Sequence, residues 1–200
     1  MTIKKVLSFS NPAEQQLLLT SAAPIESITD SVKQLAADML ETIEHQQAEG
    51  LAAVQIGEHV RMFVLNTHEE GNKYKVYINP KIFDASVEMI PSKEGCLSFP
   101  GIYIAVKRHE TVDVTYTTLE GEEVSEQLTG FLAVAFQHEL DHLDGLTFLN
   151  RVGPTLRRLT MKKIEKQKRT TKQLMKRLEK QLKGVKINDN VVVDAPVGSL

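Results

Sequence analysis

Two hundred residues with 42% hydrophobic content give one domain with a full core and leave too little chain for a second of ordinary size. The single cysteine, Cys96, excludes an intrachain disulfide framework and fits a reducing compartment, so the expected location is the cytoplasm. The net charge of −2 hides a split: 13 Lys and Arg against 2 Asp and Glu lie between Arg157 and Lys186, making that segment +11 and the remainder −13, so a polyanion is expected to meet the chain there.

Lys4 and Lys5, Leu17-Leu18-Leu19 and Ser21-Ala22-Ala23 have the outline of a secretory leader, but Asn11, Pro12, Glu14, Gln15 and Gln16 break its apolar core, and none is expected. No uncharged apolar run approaches the roughly 18 residues needed to cross a bilayer, so no membrane partner is expected. Val6-Leu7 reads as an extended entry, and Asn11-Pro12 as a turn before a short amphipathic stretch, Ala13 to Leu19. Ser27 with Asp30 resembles a capping box, and Ile28, Val32, Leu35, Met39 and Ile43 repeat at helical steps, predicting a helix over 28–46 that stops near Gly50. Val60 to Leu65 reads as a buried strand paired across a polar turn with Tyr74 to Ile78, and Asn79-Pro80 is expected to stop the latter. Ser86 to Ile90, Thr111 to Thr118 and Glu123 to Leu128 are further strands.

An apolar run from Gly130 then carries Gln137-His138-Glu139-Leu140-Asp141-His142 and reads as a buried helix. After it, Pro154 opens a second helix, about 155–183, apolar at Leu156, Leu159, Ile164, Leu174, Leu178 and Leu182 among many basic residues. The expected fold is α+β, with mostly antiparallel strands around a central metal-binding helix and a long C-terminal helix. The expected division is a catalytic domain over 1–153, a basic helix over 154–184 packed on it, and a flexible tail over 185–200.

On a helix, His138 and His142 stand one turn apart and about 40° apart around the axis, so both imidazoles can reach one ion. Glu139 can approach a water there without being a ligand, the arrangement of a metallohydrolase. A third ligand is needed. Cys96 alone would read as a small buried hydrophobe, but it follows Gly95 between Pro91 and Pro100, a turn-forming setting that presents a side chain, and the helix motif favours it as a thiolate ligand.

Three stretches in this order, Gly50-Leu51-Ala52-Ala53-Val54-Gln55, Glu94-Gly95-Cys96-Leu97-Ser98 and Gln137 to His142, resemble the motifs of the peptide deformylases. Asn79-Pro80, Pro100-Gly101, Arg108 and the basic helix also fall where that family has like features, and the short Gln55–Glu94 interval is similar to its Gram-negative-type members. The resemblance implies one divalent ion on Cys96, His138 and His142, iron(II) for the family, with zinc, nickel or cobalt as substitutes. It implies that Glu139 moves a proton from the attacking water to the leaving amine, and that the Gln55 amide and the Leu97 backbone N–H stabilise charge on the formyl oxygen. Glu49, Gly50 and Arg108 are the expected substrate-binding residues, Arg108 either on the peptide backbone or paired with an acid. Glu94 and Gly95 are expected to support the cysteine loop, and Asp141 to be structural. His45, His59, His68 and His109, without matched spacing, are read as surface residues.

The implied substrates are N-formyl-methionyl nascent peptides, and the implied surface for the basic helix is the ribosome, with no DNA partner. Ala48-Glu49-Gly50 departs from the family's Gly-x-Gly with its apolar centre, so Glu49 either points to solvent or changes the pocket beside the substrate's first residue. The alternatives are a relative with altered preference or non-catalytic ribosome binding, and a zinc endopeptidase taking a downstream ligand such as Glu165 or Glu179.

Overall fold

The structure, a computed structural model, describes residues 2–69 and 72–184. Asn11 accepts a hydrogen bond from the Ala13 N–H at 3.1 Å and, with Pro12 next, starts α1, Pro12–Leu18. The second helix, α2, Asp30–Gln46, is capped by Thr29, whose hydroxyl accepts from Val32 N–H at 3.4 Å; the cap expected at Ser27 lies two residues too early. Nor does Gly50 stop it: Gln47 takes the left-handed conformation (φ 51°) and ends the helix. Gly50 instead opens a short strand, β1, Gly50–Ala52, which runs into a 3-10 turn, Ala53–Ile56.

Beyond that turn come β2, Met62–Glu69, and β3, Asn72–Ala85. A hairpin follows, β4, Met89–Gly95, with β5, Tyr103–His109. Two more strands, β6, Thr111–Thr117, and β7, Glu123–Thr129, precede α3, Gly130–Leu143. The antiparallel five-stranded sheet has the order β1-β2-β3-β6-β7, which leaves β1 on an edge, and β4-β5 forms a separate two-stranded sheet. Asn79-Pro80 does not stop β3. Its register against β6 shifts between Ile78 and Lys81, and Asn79 turns left-handed (φ 50°), so the strand passes through as a bulge. β5 lies ahead of the strand expected from Thr111 and is an additional element.

Side-chain alternation explains the unbroken Met62-Phe63-Val64-Leu65. Phe63 and Leu65 join Tyr77, Val112, Val114 and Phe136 on the α3 face, while Met62 and Val64 join Met39, Ile43 and Leu51 on the α2 face. A third cluster, Phe9, Leu18, Phe99, Ile104, Val106, Phe148 and Ile164, packs under β4-β5. Backbone bonds from Leu7 N–H to Gln55 C=O (2.7 Å) and from Phe9 N–H to Ser98 C=O (2.9 Å) use the N-terminal segment to join the 3-10 turn to the loop after β4.

The last helix, α4, Pro154–Gly184, starts inside this body: Thr160 and Ile164 are buried, and the compact unit runs from Met1 to Ile164 rather than ending at Gly153. In the second unit, from Glu165, the helix exposes Leu174, Met175 and Leu178 among its basic residues. The tail expected to be flexible, 185–200, lies outside the described residues. No helix among the described residues is long and apolar enough to cross a membrane.

Asn79 clamps the segment before α2, donating to Ile25 C=O at 2.7 Å and accepting from Ile25 N–H at 2.8 Å. Asn79→Ala loses both bonds and places a β-carbon in left-handed backbone. It is expected to destabilise by about 1–3 kcal/mol in urea unfolding, with Asn79→Gly less affected because it keeps the backbone freedom.

Candidate metal centre

The helix α3 begins on an apolar turn and then buries Gln137, His138, Glu139, Asp141 and His142 in succession. Such a run needs partners, and each of the first two has one. Gln137 donates to Ala133 and His109 carbonyls at 2.9 Å and accepts from His109 N–H at 3.1 Å, fixing the helix to the end of β5. His138 donates Nδ1–H to Glu94 Oε2 at 2.7 Å, which sets its tautomer and leaves Nε2 with a free lone pair.

Glu94 sits at the centre of a buried ionic chain. Arg108, 2% exposed, grips it twice, Nε to Oε1 at 2.7 Å and Nη2 to Oε2 at 2.9 Å, and its remaining arm reaches Asp141 Oδ2 at 2.6 Å. Asp141 also accepts from Arg151, in the 3-10 turn Phe148–Arg151. Burial alone would raise the Glu94 carboxyl, but the hydrogen bonds from Arg108 and His138 overcome it and hold the pKa at about 2. The expected placing of Arg108 with the substrate-binding residues is corrected here: of its two weighed roles the structure fills the second, since its guanidinium is enclosed with its donors on two acids and does not line the cavity.

The loop after β4 brings Cys96 Sγ to 3.2 Å from His142 Nε2, and ligand atoms of Cys96, His138 and His142 all lie within 4.8 Å of one another. Tetrahedral donors with bonds of about 2.1–2.3 Å stand roughly 3.5 Å apart, so these three fit an ion and leave a fourth position open. Glu139 Oε2 is buried there without a partner, and His142, whose Nε2 faces Cys96, keeps its other ring nitrogen, Nδ1, buried and unpartnered on the far side of the ring. Burial pushes the His142 imidazole well below its usual range, towards the neutral form a metal needs, and pushes the Glu139 carboxyl up to about 7. Among the described residues, neither Glu165 nor Glu179 belongs to such a cluster.

Glycine is required at position 50 because Glu139 comes so close: a β-carbon there would lie 2.8 Å from Glu139 Cδ and would overlap Oε1. Asn66 N–H donates to Glu49 C=O, so in this register Leu51 is the next residue to bond β2, and the peptide groups of Gly50 and Ala52 turn to the free outer edge. The Ala52 N–H is taken by Gln55 Oε1 at 2.8 Å, which orients the Gln55 amide so that Nε2 faces Cys96 Sγ (3.4 Å) and Ser98 Oγ (3.3 Å). The Leu97 N–H has no acceptor among the described residues. A cavity of about 520 Å³ spans the site, reaching from Cys96, His138 and Glu139 past Gln55, Leu97 and Gly50 to Glu49, with Phe131, Val134 and Ala135 of α3 as its apolar wall. Glu49 points to solvent at the mouth, its Oε2 2.9 Å from His68 Nε2, and Gly95 packs under the Tyr103 ring.

Ser98, Arg151 and Phe131 were not foreseen. Phe131 and Val134 had a signal, since they precede His138 by seven and four residues on one helix face. Arg108 had another: it takes the inward phase of Ile104 and Val106 on β5, where a charge must be paired. His59 and His109 are half-buried rather than surface residues, His109 Nδ1 lying 2.6 Å from Ser86 C=O. Arg108→Met is expected to cost about 3–5 kcal/mol in chemical denaturation, because it strands Glu94 and Asp141, whereas an arginine serving only a ligand would leave stability unchanged.

The profile of the polypeptide deformylase family matches residues 3–158. Curated relatives include the peptide deformylases of Acinetobacter baumannii, 40% identical over 83% of this chain and 92% of the relative, and Caulobacter vibrioides, 37% identical over 84% and 99%. Among solved structures, peptide deformylase from Legionella pneumophila superposes with a TM-score of 0.76 at 34% identity, covering 85% of this chain and 98% of that one. A class I type b peptide deformylase from Acinetobacter baumannii with Met-Ala-Ser bound gives 0.69 at 32% identity, covering 76% and 99%.

Proposed function

The chain belongs to the polypeptide deformylase family, and from that premise we propose how its residues divide the work of the site. The protein is a metallohydrolase that removes the N-formyl group from nascent peptides, releasing formate and a free amino terminus. The observation that carries the division is the meeting of Cys96, His138 and His142 with the Gln55 amide and the enclosed Glu139 carboxylate at one end of a single cavity.

Cys96, His138 and His142 would hold the ion, which would supply the Lewis acidity that makes water a nucleophile near neutral pH. Glu139, whose Oε2 has no hydrogen-bond partner among the described residues, takes the proton that water gives up as its oxygen bonds to the formyl carbon. The C–N bond then breaks, and Glu139 returns the proton to the amine. As the carbonyl carbon becomes tetrahedral, its oxygen gains negative charge, and Gln55 Nε2 and the Leu97 N–H are the donors assigned to it. Gln55 suits this role because it is 1% exposed and its other end is locked by Ala52 N–H, so the donor is already aimed. Gly50 offers its outward N–H and C=O to the peptide backbone. The apolar wall of Phe131, Val134 and Ala135 suits a methionine side chain, in keeping with the Met-Ala-Ser bound to the Acinetobacter enzyme. Glu94, through Arg108 and Asp141, holds His138.

The ion is proposed to be iron(II); one thiolate and two imidazoles also accept zinc, nickel and cobalt. A substrate that emerges from ribosomes suits a cytoplasmic location. Basic residues along 165–184 suit a ribosomal RNA surface.

Formate release from formyl-Met-Ala-Ser under anaerobic conditions tests the assignment. Glu139→Ala is expected to lower kcat by about 10²–10⁴ with the fold intact, and Gly50→Ala to lower it by displacing Glu139. Chelation abolishes activity and added iron(II), nickel or cobalt restores it, while air inactivates the iron form through Cys96 oxidation. Cys96→Ser loses both metal and activity; full retention of both would point instead to an endopeptidase with another ligand. For the helix, truncation after Lys166 keeps the buried Thr160 and Ile164 and is expected to abolish salt-sensitive ribosome binding while leaving formate release unchanged. Undiminished ribosome binding refutes the anchoring role.

A further inference from the structure

Glu49 sits immediately before Gly50 on the same strand edge, at the cavity mouth. Its Oε2 lies 2.9 Å from His68 Nε2, with the two side chains 51% and 55% exposed. His68 does not reach this point by ordinary strand geometry. The register of β2 against β3 shifts between Asn66 and Glu69, His68 is left-handed (φ 58°), and its N–H donates to Asn66 Oδ1 at 3.0 Å. A bulge of this kind re-aims a side chain, and a non-glycine residue held in left-handed backbone marks a place where the surroundings impose that aim. The re-aimed ring packs edge-on against Phe131, centroids 5.4 Å apart, and so braces the apolar wall as well as Glu49.

Three further features set the charge of the mouth, one of them Lys73 of β3, a cation outside the cavity lining that acts electrostatically on Glu49 and tempers its charge. The C-terminal end of α2, at Gln46 and Gln47, lines the same side and carries the negative end of the helix dipole. Across the opening, Lys93 lies over the Tyr103 ring at 5.7 Å. The mouth is therefore acidic on the β1 side and basic on the β4 side, and a preference read by it must depend on position rather than on total peptide charge.

Resting on the deformylase reading, we propose that Glu49, braced by His68, is a specificity-determining residue that favours Lys or Arg immediately after the formyl-methionine and disfavours Asp or Glu there. Gly50 lies beside Glu139 and hence beside the bond being cut. Glu49 is one strand step further along the same edge, so the side chain it meets is that of the next substrate residue. In an extended peptide the following side chain turns to the opposite side, away from Glu49. Because the carboxylate is half exposed, the effect is modest and screened by salt.

The test compares two peptides of equal composition, formyl-Met-Lys-Ala and formyl-Met-Ala-Lys, with formyl-Met-Glu-Ala as the third arm, on the metal-loaded full chain at low salt. The first is expected to exceed the second in kcat/KM by about 2–5-fold, with the glutamate peptide slowest. Glu49→Gln brings the ratio to about one, and His68→Ala and high salt each reduce it. Product peptides Met-Lys-Ala and Met-Ala-Lys, titrated by calorimetry, give the same order in dissociation constant, a readout independent of turnover. A ratio near one in the wild type, the reverse order, or an undiminished ratio in Glu49→Gln overturns the proposal while leaving the deformylase reading intact. Failure to hydrolyse any formyl peptide overturns both.

Discussion

Burying charge is costly unless every charge is answered, and the site depends on one chain of answers: Arg151 to Asp141, Asp141 to Arg108, Arg108 to Glu94, Glu94 to His138. Each link joins a different part of the fold. Arg151 comes from the turn after α3, Asp141 and His138 from α3 itself, Arg108 from β5 and Glu94 from β4. The chain therefore does what an apolar contact cannot, since hydrogen bonds fix direction as well as proximity. It points one imidazole nitrogen into the cavity and commits the other to Glu94. Arg108 belongs to it for that reason, and the enclosed guanidinium is as much a part of the metal site as the residues that touch the ion.

The helices were legible because their signals are local: the 3.6-residue repeat of α2, the proline at the start of α4, and the paired histidines of α3 all lie within a few turns. The three motifs were legible for a different reason, since each is a short run whose residue types serve one chemistry. What escaped notice was set by long-range packing. β5 alternates Ile104, Val106 and Arg108 inward, and the charge in the third place hid a strand that its apolar neighbours would have announced. Asn79-Pro80 looked like a stop because proline cannot donate to a ladder, but the bulge lets the strand absorb it, and the Asn79 side chain bonds Ile25 fifty-four residues away. The compact body runs eleven residues past the boundary expected at Gly153 because the burial of Ile164 depends on a cluster assembled from Phe9, Leu18 and Phe99. No sequence spacing reports that.

The centre itself is a seam between layers. Glu139, His138 and His142 ride on the helix that covers one face of the five-stranded sheet, while Cys96 and Leu97 arrive from the end of the small sheet and Gln55 from the turn after β1. The extended N-terminal segment holds the last two together through the Gln55 and Ser98 carbonyls. Rigidity is thus concentrated around Cys96, His138, His142 and Glu139. Tolerance is left at the mouth, where Glu49 and His68 are half in water and a change of residue alters a preference without disturbing the chemistry.

The outer edge of β1 has a consequence for how copies of this chain behave towards each other. A sheet edge left open to receive a peptide is also an invitation to another sheet, and long open edges lead to aggregation. Here the invitation is brief. The strand has three residues, one outward N–H is already satisfied by Gln55, and Gly50 alone presents its donor and acceptor together. A short extended segment can use that pair, but the edge of a second folded molecule would find too few bonds to build a ladder. The brevity of β1 leaves an edge with room for one short extended segment and little for edge-to-edge pairing between copies.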